Sequence, residues 1–407
     1  MLLGIFSDSH LGFKGDDRYE ESFLRFKESI QIFKQNKVDY LLHAGDLFDE
    51  AVPDQEVWLK TFDCFAENNG SLCEIKKKEF SKDGLAHVKG TPIIAIHGTH
   101  EFRGKDFANA LDVLEKSNCL VHLHAGCVEL EKDGEKVYVH GLGGVPEKNA
   151  KAVLEKYSPK PISLHTNILL LHQSFTEFLP FDDDSIASLS LTDLPSGFDL
   201  IVDGHLHWRD EQDLGGKRFL LTGSSIFTQM KNLESERDKG VFLFETKTKK
   251  LTFVPFKNQR KLFYSRITFD NAKPEEVMEK VSTHVREILK DSFELKPLIR
   301  FKLVGSLAKG FSQSDISFNF SEFEKTAVFS LSKNFSVDSF KKKIEHLKEA
   351  QLEKKSVIDV GVDLLEKNVE EAGLKEFDTR RMFDLLSIGE NEKAEIVLLN
   401  KKSDIVG

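Results

Sequence analysis

The chain has 407 residues, of which 40% are hydrophobic and 30% are charged, a balance typical of globular proteins with two or three domains. Its formal net charge of −10 argues against a protein that attracts nucleic acid over its whole surface, although a local basic patch is still allowed. No apolar run approaches the roughly 18 residues of a membrane span, and the four cysteines lack zinc-type spacing, so we expect a cytoplasmic protein without a membrane segment.

The first 257 residues alternate strand and helix patterns. Strands are predicted at 2–6, 38–45, 92–98, 136–141, 167–174, 198–207, 218–224, 241–245 and 251–256. Apolar residues spaced by three and four predict a helix over 19–33, a second helix is predicted from Pro53, and a third near 105–116. The Lys-rich stretch 69–90 breaks this pattern and is interpreted as an insertion or mobile loop. Continuous apolar strands indicate burial on both faces, so the sequence predicts an α/β fold with sheets between helices.

The pattern changes after residue 257, which predicts further domains. Strands at 262–270, 297–305, 314–320 and 326–331, with a helix from Pro274 to about Lys290, predict a small α+β domain over 258–335. Residues 336–355 are highly charged and predict a helical linker, and 356–402 predict short amphipathic helices.

Acidic and histidine side chains follow each strong strand of the first domain. They are Asp8, His10, Asp46, His100, Glu101, His172, His205 and His207. Ligands of open α/β sheets collect outside the carboxyl ends of the strands, so we expect these residues to converge on one site. Carboxylates and imidazoles are typical ligands of Mn²⁺, Fe²⁺ or Zn²⁺ rather than Ca²⁺.

The order D-x-H, G-D, G-x-H-E, H and G-H-x-H resembles the calcineurin-like metallophosphoesterases. The resemblance implies a four-layer sandwich, with helices flanking two packed sheets, and two metal ions, for which we expect Mn²⁺. It implies that one ion is bound by Asp8, His10 and His207 and the other by His172 and His205, with Asp46 bridging them. His100 would be the catalytic residue, stabilising the developing charge or protonating the leaving oxygen. Glu101 would orient His100 or its loop.

Thr99 departs from the family pattern, which usually has an Asn that supplies a metal-binding amide oxygen at this position. A hydroxyl is a weaker ligand, so the second metal is expected to bind loosely or to take a water instead. Because the other ligands are present, we favour an active enzyme over a catalytically weakened interaction scaffold.

Within this superfamily, GDLFD lacks the Arg of the protein phosphatases and resembles the meiotic-recombination-eleven nucleases and bacterial SbcD. SDSHLGF, HGTHEFRG, GLGGVPEK, GHLHW and the domain order agree with that resemblance. It implies a DNA phosphodiesterase of double-strand-break repair, acting as a homodimer with a coiled-coil, SMC-like ATPase partner. Asp49 stands where some members have a His. The alternative is a phosphoesterase for nucleotides or cyclic nucleotides.

Two further groups of residues are candidates for binding. Basic side chains beside the metal motifs are candidate DNA contacts: Lys14, Arg18, Arg103, Lys105 and Arg209. The amphipathic tail has too little core to stand alone, so its apolar face is expected either to bind the ATPase or to pack on the same chain. The candidates on that face are Val360, Leu364, Met382, Phe383, Leu385 and Leu386.

Overall fold

A computed structural model describes residues 1–79, 83–104, 107–179, 188–318, 320, 323 and 325–336, and the isolated positions 362, 380, 381 and 385. Three sheets account for the strands, with six, eight and three strands. None of the helices among these residues is long and apolar enough to cross a membrane.

The elements follow the predicted order closely. The helices are α1 (Tyr19–Gln35), α2 (Gln55–Ala66), α3 (Ala110–Lys116), α4 (Glu147–Tyr157), α5 (Asn232–Ser235) and α6 (Pro274–Ile288). The strands are β1 (Leu2–Phe6), β2 (Tyr40–Ala44), β3 (Leu72–Glu79), β4 (Asp83–Lys89), β5 (Ile93–Ile96), β6 (Val121–His122), β7 (Gly126–Lys132), β8 (Glu135–Gly141), β9 (Thr166–Leu171), β10 (Leu200–Asp203), β11 (Asp210–Asp213), β12 (Arg218–Leu221), β13 (Gly240–Glu245), β14 (Lys250–Pro255), β15 (Leu262–Ala272), β16 (Leu298–Leu307) and β17 (Val328–Ser336).

Two sheets form the centre of a four-layer sandwich, which confirms the predicted fold class. The six-stranded sheet has the order β14-β13-β1-β2-β5-β6, and the eight-stranded sheet has the order β11-β12-β10-β9-β8-β7-β3-β4. Alternate residues of each strand face opposite layers. Leu3 and Ile5 of β1 and Leu200 and Val202 of β10 pack in the core between the sheets, whereas Ile201 faces the outer layer that contains α4.

The first three helices cover the outer face of the six-stranded sheet. In α1 the apolar spacing places Phe23, Phe26 and Phe33 in the core on that face. The second helix begins at Gln55 rather than at Pro53, because the Asp54 carboxylate caps it by accepting the Val57 N–H at 2.9 Å. The third helix is similarly shortened by a capping box between Asn109 and Asp112.

The described residues of the stretch 69–90 form a β-hairpin, so the interpretation of this stretch as a mobile loop is wrong. Strands β3 and β4 pair antiparallel, and β3 continues the eight-stranded sheet by pairing with β7. The lysines give this stretch the composition of a surface loop, although Lys76 and Lys78 lie on the exposed face of β3 and Ile75 lies on the buried one. Ile75, Ala86 and Val88 pack in the core between the two central sheets.

The third sheet has the order β15-β16-β17, and the change of sheet falls between Pro255 and Leu262, where the sequence predicts a boundary at 257. The prediction of a strand over 314–320 is wrong for the described residues of that range. A 3-10 helix spans Gln313–Asp315, and Ser312 forms a capping box with it. The predicted helical linker and tail lie outside the described residues, except for isolated helical positions that include Leu385.

The buried face of the hairpin should contribute to the free energy of unfolding. Ile75→Ala should lower the free energy of unfolding by about 2–5 kcal/mol, because it opens a cavity between the sheets. Leu85→Ala, on the exposed side of the same hairpin, should change it by less than about 0.5 kcal/mol. Urea unfolding of the two variants measures the difference, and equally small effects would show that the hairpin does not contribute to the core.

Candidate metal and phosphoester site

The candidate residues follow five strands, three in one sheet and two in the other, and lie close together. Strands β1, β2 and β5 pair in parallel in the six-stranded sheet, and β9 pairs in parallel with β10 in the eight-stranded sheet. The loops that follow their carboxyl ends carry the predicted residues. Hydrogen bonds join these loops directly: Asp8 N–H donates to Gly45 O at 2.9 Å, and His205 N–H donates to Asp8 Oδ1 at 3.0 Å.

Among the described residues, three groups of side chains are close enough to hold a metal ion, and two of them consist of the predicted ligands. Asp8, His10 and His207 form one group, and Asp46, His172 and His205 form the other, with the donor atoms of each group within 4.8 Å of one another. In the first group the Nε2 atoms of His10 and His207 lie 3.3 Å apart. In the second, His172 Nε2 lies 3.1 Å from Asp46 Oδ2. The structure therefore brings together the two sets that the resemblance implies.

The carboxylates of this arrangement are buried, and a buried negative charge has a desolvation cost that a bound cation would offset. Asp8, Asp46 and His172 are all at most 1% exposed. Burial raises the pKa of Asp8 to about 6. Burial alone would lower the pKa of His172, but attraction to Asp46 and Asp8 raises it to about 10. His172 Nε2 is buried against Asp46 Oδ2, 3.1 Å away, so a cation between these two atoms would meet an imidazole and a carboxylate together.

The backbone is strained at four of the candidate ligands. Asp8, His10, Asp46 and His205 have positive φ angles of 47°, 45°, 51° and 72°, a region that L-residues rarely adopt. A Cβ on Gly98 would lie 2.1 Å from Asp46 Oδ1, so only glycine fits beside that carboxylate. Strain of this kind persists where surrounding structure enforces it and is concentrated at functional sites.

The outer ring nitrogens of His172 and His207 are held by hydrogen-bonding groups. His172 Nδ1 donates to the Ala44 carbonyl oxygen at 2.7 Å, and His207 Nδ1 contacts the Thr228 hydroxyl. In both rings the Nε2 atom is therefore the one that faces the other candidate ligands. For His172 the carbonyl oxygen can only accept, so Nδ1 carries a hydrogen, as a histidine that binds a metal through Nε2 requires.

His100 lies at the exposed edge of the site. Its backbone N–H donates to Asp46 Oδ1 at 2.8 Å, and its Nδ1–H donates to the Asp49 carbonyl oxygen at 2.6 Å. The side chain is 40% exposed, and its Nε2 is 4.0 Å from Asp46 Oδ2. An imidazole in this position can reach a bound substrate from the solvent side of the carboxylate.

Thr99 and Glu101 have different surroundings. Thr99 Oγ1 lies 3.5 Å from His205 Nδ1, so its hydroxyl borders the second donor group. Glu101 is fully buried and accepts the Phe48 N–H at 2.6 Å and the Gly98 N–H at 2.7 Å. Its carboxylate therefore joins the loops that carry Asp46 and Thr99, and burial raises its pKa to about 7.

The candidate DNA contacts differ in accessibility. Arg18 does not fit this role, because it is 3% exposed and donates to the Phe227 carbonyl oxygen at 2.6 Å. Lys14 is exposed and paired with Asp54 at 3.0 Å. Arg103 lies over the ring of Phe107. The remaining two candidates are Arg209, which is half-buried over the Phe253 ring, and Lys105, which is outside the described residues.

The candidate partner contacts lie almost entirely outside the described residues. Leu385 is helical and half-buried, and the other five, Val360, Leu364, Met382, Phe383 and Leu386, are not described.

Sequence reasoning missed a buried ion pair behind His207. Lys239 is 5% exposed and donates to the His207 carbonyl oxygen at 2.6 Å and to Ser224 Oγ at 2.8 Å. It also pairs with the fully buried Glu234 at 2.9 Å. Lys239 sits 32 residues from His207 in a polar turn, ERDKG, which looks like any solvent-exposed loop. No motif in the sequence identifies it.

Comparison with known proteins identifies related sequences. The sequence model of the calcineurin-like phosphoesterases matches residues 1–209. DNA double-strand break repair protein Mre11 of Sulfolobus acidocaldarius is 26% identical over 314 residues, covering 75% of this chain and 76% of the relative. Double-strand break repair protein MRE11 of Oryza sativa subsp. indica is 26% identical over 360 residues, covering 74% and 50%, and that of Rattus norvegicus is 26% identical over 370, also covering 74% and 50%.

The chain therefore spans about half the length of the plant and animal relatives that it matches. The family model confirms the resemblance to the calcineurin-like metallophosphoesterases. The curated relatives agree with the resemblance to the meiotic-recombination-eleven nucleases.

The role of Glu101 in joining the loops can be tested by substitution. Glu101→Ala leaves two buried backbone N–H groups without an acceptor, which should lower the free energy of unfolding by about 2–4 kcal/mol. Glu101→Gln retains one acceptor oxygen and should cost less. Denaturant unfolding with a chelator present isolates this effect from metal binding, and two variants as stable as the wild type would exclude the assigned role.

Proposed function

Because this chain belongs to the calcineurin-like phosphoesterases, we propose that it is a metal-dependent phosphodiesterase that processes DNA ends in double-strand-break repair. The observation that supports the chemistry best is the pair of adjacent donor groups at the ends of β1, β2, β9 and β10. The DNA substrate is supported by the curated relatives, which are named as double-strand break repair proteins.

The residues present fit two divalent cations, which we propose to be Mn²⁺. Asp8, His10 and His207 would hold one, and His172 and His205 would hold the other beside Thr99. Asp46 would bridge them, which fits its burial and the attraction to His172 and His10 that lowers its pKa in spite of that burial. Two such cations stabilise negative charge on phosphoryl oxygens and lower the pKa of bound water.

His100 is proposed to act on the leaving group. With Nδ1–H bonded to the Asp49 carbonyl oxygen, the ring presents Nε2 as the atom that can hold a proton for the substrate. Donating that proton to the leaving oxygen is general acid catalysis. The partial exposure of the ring fits contact with a substrate that approaches from outside.

The surface around the site supports a macromolecular substrate and partners. Lys14 and Arg103 remain candidate phosphate contacts, and Arg209 presents part of its side chain. Leu59 and Phe62 on α2 are 66% and 39% exposed, so this helix has an apolar face that a second copy of the chain could cover. Homodimerisation and binding of a coiled-coil ATPase by the tail remain part of the proposal.

The Asp46→Ala variant tests both the proposed DNA substrate and the proposed metal-dependent chemistry. Incubation with Mn²⁺ should show cleavage of labelled linear duplex DNA and of bis(p-nitrophenyl) phosphate by the wild type, and neither by the variant. Circular dichroism provides the control for folding. Cleavage of the small ester without any cleavage of DNA, even with the ATPase present, would favour the small-molecule phosphoesterase, and wild-type rates in the variant would exclude the metal assignment.

Thr99 provides a test of the second metal site. Thr99→Asn supplies an amide oxygen beside His205 and should lower the Mn²⁺ concentration needed for half-maximal rate by about tenfold, within the range of changes around a metal ligand. Thr99→Val, which removes the hydroxyl, should raise that concentration. An unchanged or higher Mn²⁺ requirement in the Asn variant would mean that the site is built around the threonine.

A further inference from the structure

Two of the four candidate ligand imidazoles have a carboxylate at one ring nitrogen, while the other ring nitrogen faces another candidate ligand. In His172 and His207 the corresponding nitrogen meets a backbone carbonyl and a hydroxyl. In His10 and His205 it faces Asp49 and Glu147. A carboxylate can only accept a hydrogen bond, so it fixes which ring nitrogen carries the hydrogen and which has the free lone pair.

Asp49 is bonded to His10 through its side chain. Asp49 Oδ1 lies 3.1 Å from His10 Nδ1, which leaves His10 Nε2 directed at His207 Nε2, 3.3 Å away. The backbone carbonyl of the same residue accepts the Nδ1–H of His100 at 2.6 Å. The backbone carbonyl of Asp49 therefore holds His100, and its carboxylate is bonded to His10 and lies farther from His100 Nδ1, at 3.9 Å. A side-chain substitution thus acts mainly on His10 and leaves the carbonyl acceptor for His100 in place.

Glu147 occupies the corresponding place beside His205. It is the first residue of α4, and its Oε1 lies 3.4 Å from His205 Nε2. The same oxygen accepts the Ser174 N–H at 3.1 Å, which fixes the position of the carboxylate. The opposite nitrogen, His205 Nδ1, faces Thr99 Oγ1 at 3.5 Å. Glu147 Oε2 is buried and has no hydrogen-bond partner among the described residues.

We propose that Asp49 and Glu147 are positioning residues, one for each metal site, and that each sets the metal affinity of its own site through the imidazole that it holds. The proposal rests on the metal assignment in the proposed function. A carboxylate on the outer nitrogen restricts rotation of the ring and increases the basicity of the nitrogen that binds the metal. The two sites can then be weakened independently, because Asp49 acts through His10 and Glu147 acts through His205.

Asp49 has one competing role that must be separated from this one. His10, Asp49 and His100 form a third group whose donor atoms lie within 4.8 Å of one another. If Asp49 bound a metal itself, its replacement would remove one metal ion from the protein. If it positions His10, its replacement changes an affinity and leaves the number of ions per chain unchanged.

Isothermal titration of the metal-free full chain with Mn²⁺ distinguishes these roles. The wild type should bind two ions per chain in two phases. Asp49→Ala should weaken one phase by about 10–100-fold and Glu147→Ala should weaken the other by a similar factor, with two ions still bound in each case. Asp49→Asn and Glu147→Gln keep an acceptor oxygen and should recover part of each loss. The matched controls are Glu50→Ala and Glu155→Ala, which remove exposed carboxylates from the same loop and the same helix.

A spectroscopic readout tests the tautomers without metal. In ¹⁵N spectra of histidine-labelled, metal-free protein, His10 should carry hydrogen on Nδ1 and His205 on Nε2, and each preference should weaken in the corresponding alanine variant alone. Thermal melts show whether loss of the Ser174 contact has unfolded the Glu147 variants, and Glu147→Gln then serves for the comparison.

The outcomes separate the two levels of the proposal. A wild type that binds no Mn²⁺ overturns the metal assignment and this inference with it. If the wild type binds Mn²⁺ in two phases and neither alanine variant changes them, the positioning roles alone are overturned. The same holds if each variant weakens both phases equally. One bound ion fewer in Asp49→Ala than in the wild type would identify Asp49 as a ligand and overturn its positioning role.

Discussion

The structure of the site depends on one buried carboxylate, that of Asp46. It is 1% exposed, it accepts the His100 N–H at 2.8 Å through Oδ1, and its Oδ2 lies 3.1 Å from His172 Nε2. It thereby links the loop after β5 in one sheet to the loop after β9 in the other. Gly98 must be a glycine because Asp46 Oδ1 occupies the place of its Cβ. A buried charge of this kind is tolerated only where opposite charges and hydrogen bonds surround it.

The loops around Asp46 are held by buried polar groups that have no direct part in the chemistry. Glu101 joins the loops after β2 and β5 through two backbone N–H groups, and Lys239 holds the His207 carbonyl from the opposite side. Both residues carry a desolvation cost that burial imposes on any charged side chain. That cost is offset by the hydrogen bonds that the two side chains make to the loops after β2, β5 and β10. These buried polar groups thus keep the candidate ligands in a fixed geometry at some cost in folding free energy.

The layers of the sandwich explain why such a site can be rigid. Alternate residues of β1 and β10 pack in the core between the sheets, so the carboxyl ends of both sheets are held at one edge by close-packed side chains. The hairpin of β3 and β4 extends this core, since Ile75 and Val88 lie within it. The composition of the hairpin gave no indication of that contribution, because exposed lysines such as Lys76 and Lys78 lie on the opposite face of β3 from Ile75.

The sequence by itself determined the elements that have a strong period and the residues that follow them. Apolar runs marked β1, β2, β5, β9 and β10, and the carboxylates and imidazoles at their ends marked the candidate ligand groups, since both depend on local pattern alone. Only the tertiary structure decided which side chains those loops bring together. Arg18 became buried, Thr99 was placed against His205, and Asp49, Glu147 and Lys239 came to support the histidines. These contacts join residues that are 30 to more than 100 positions apart, and burial and hydrogen bonding between such distant segments are set by packing, which leaves no periodic trace in the sequence.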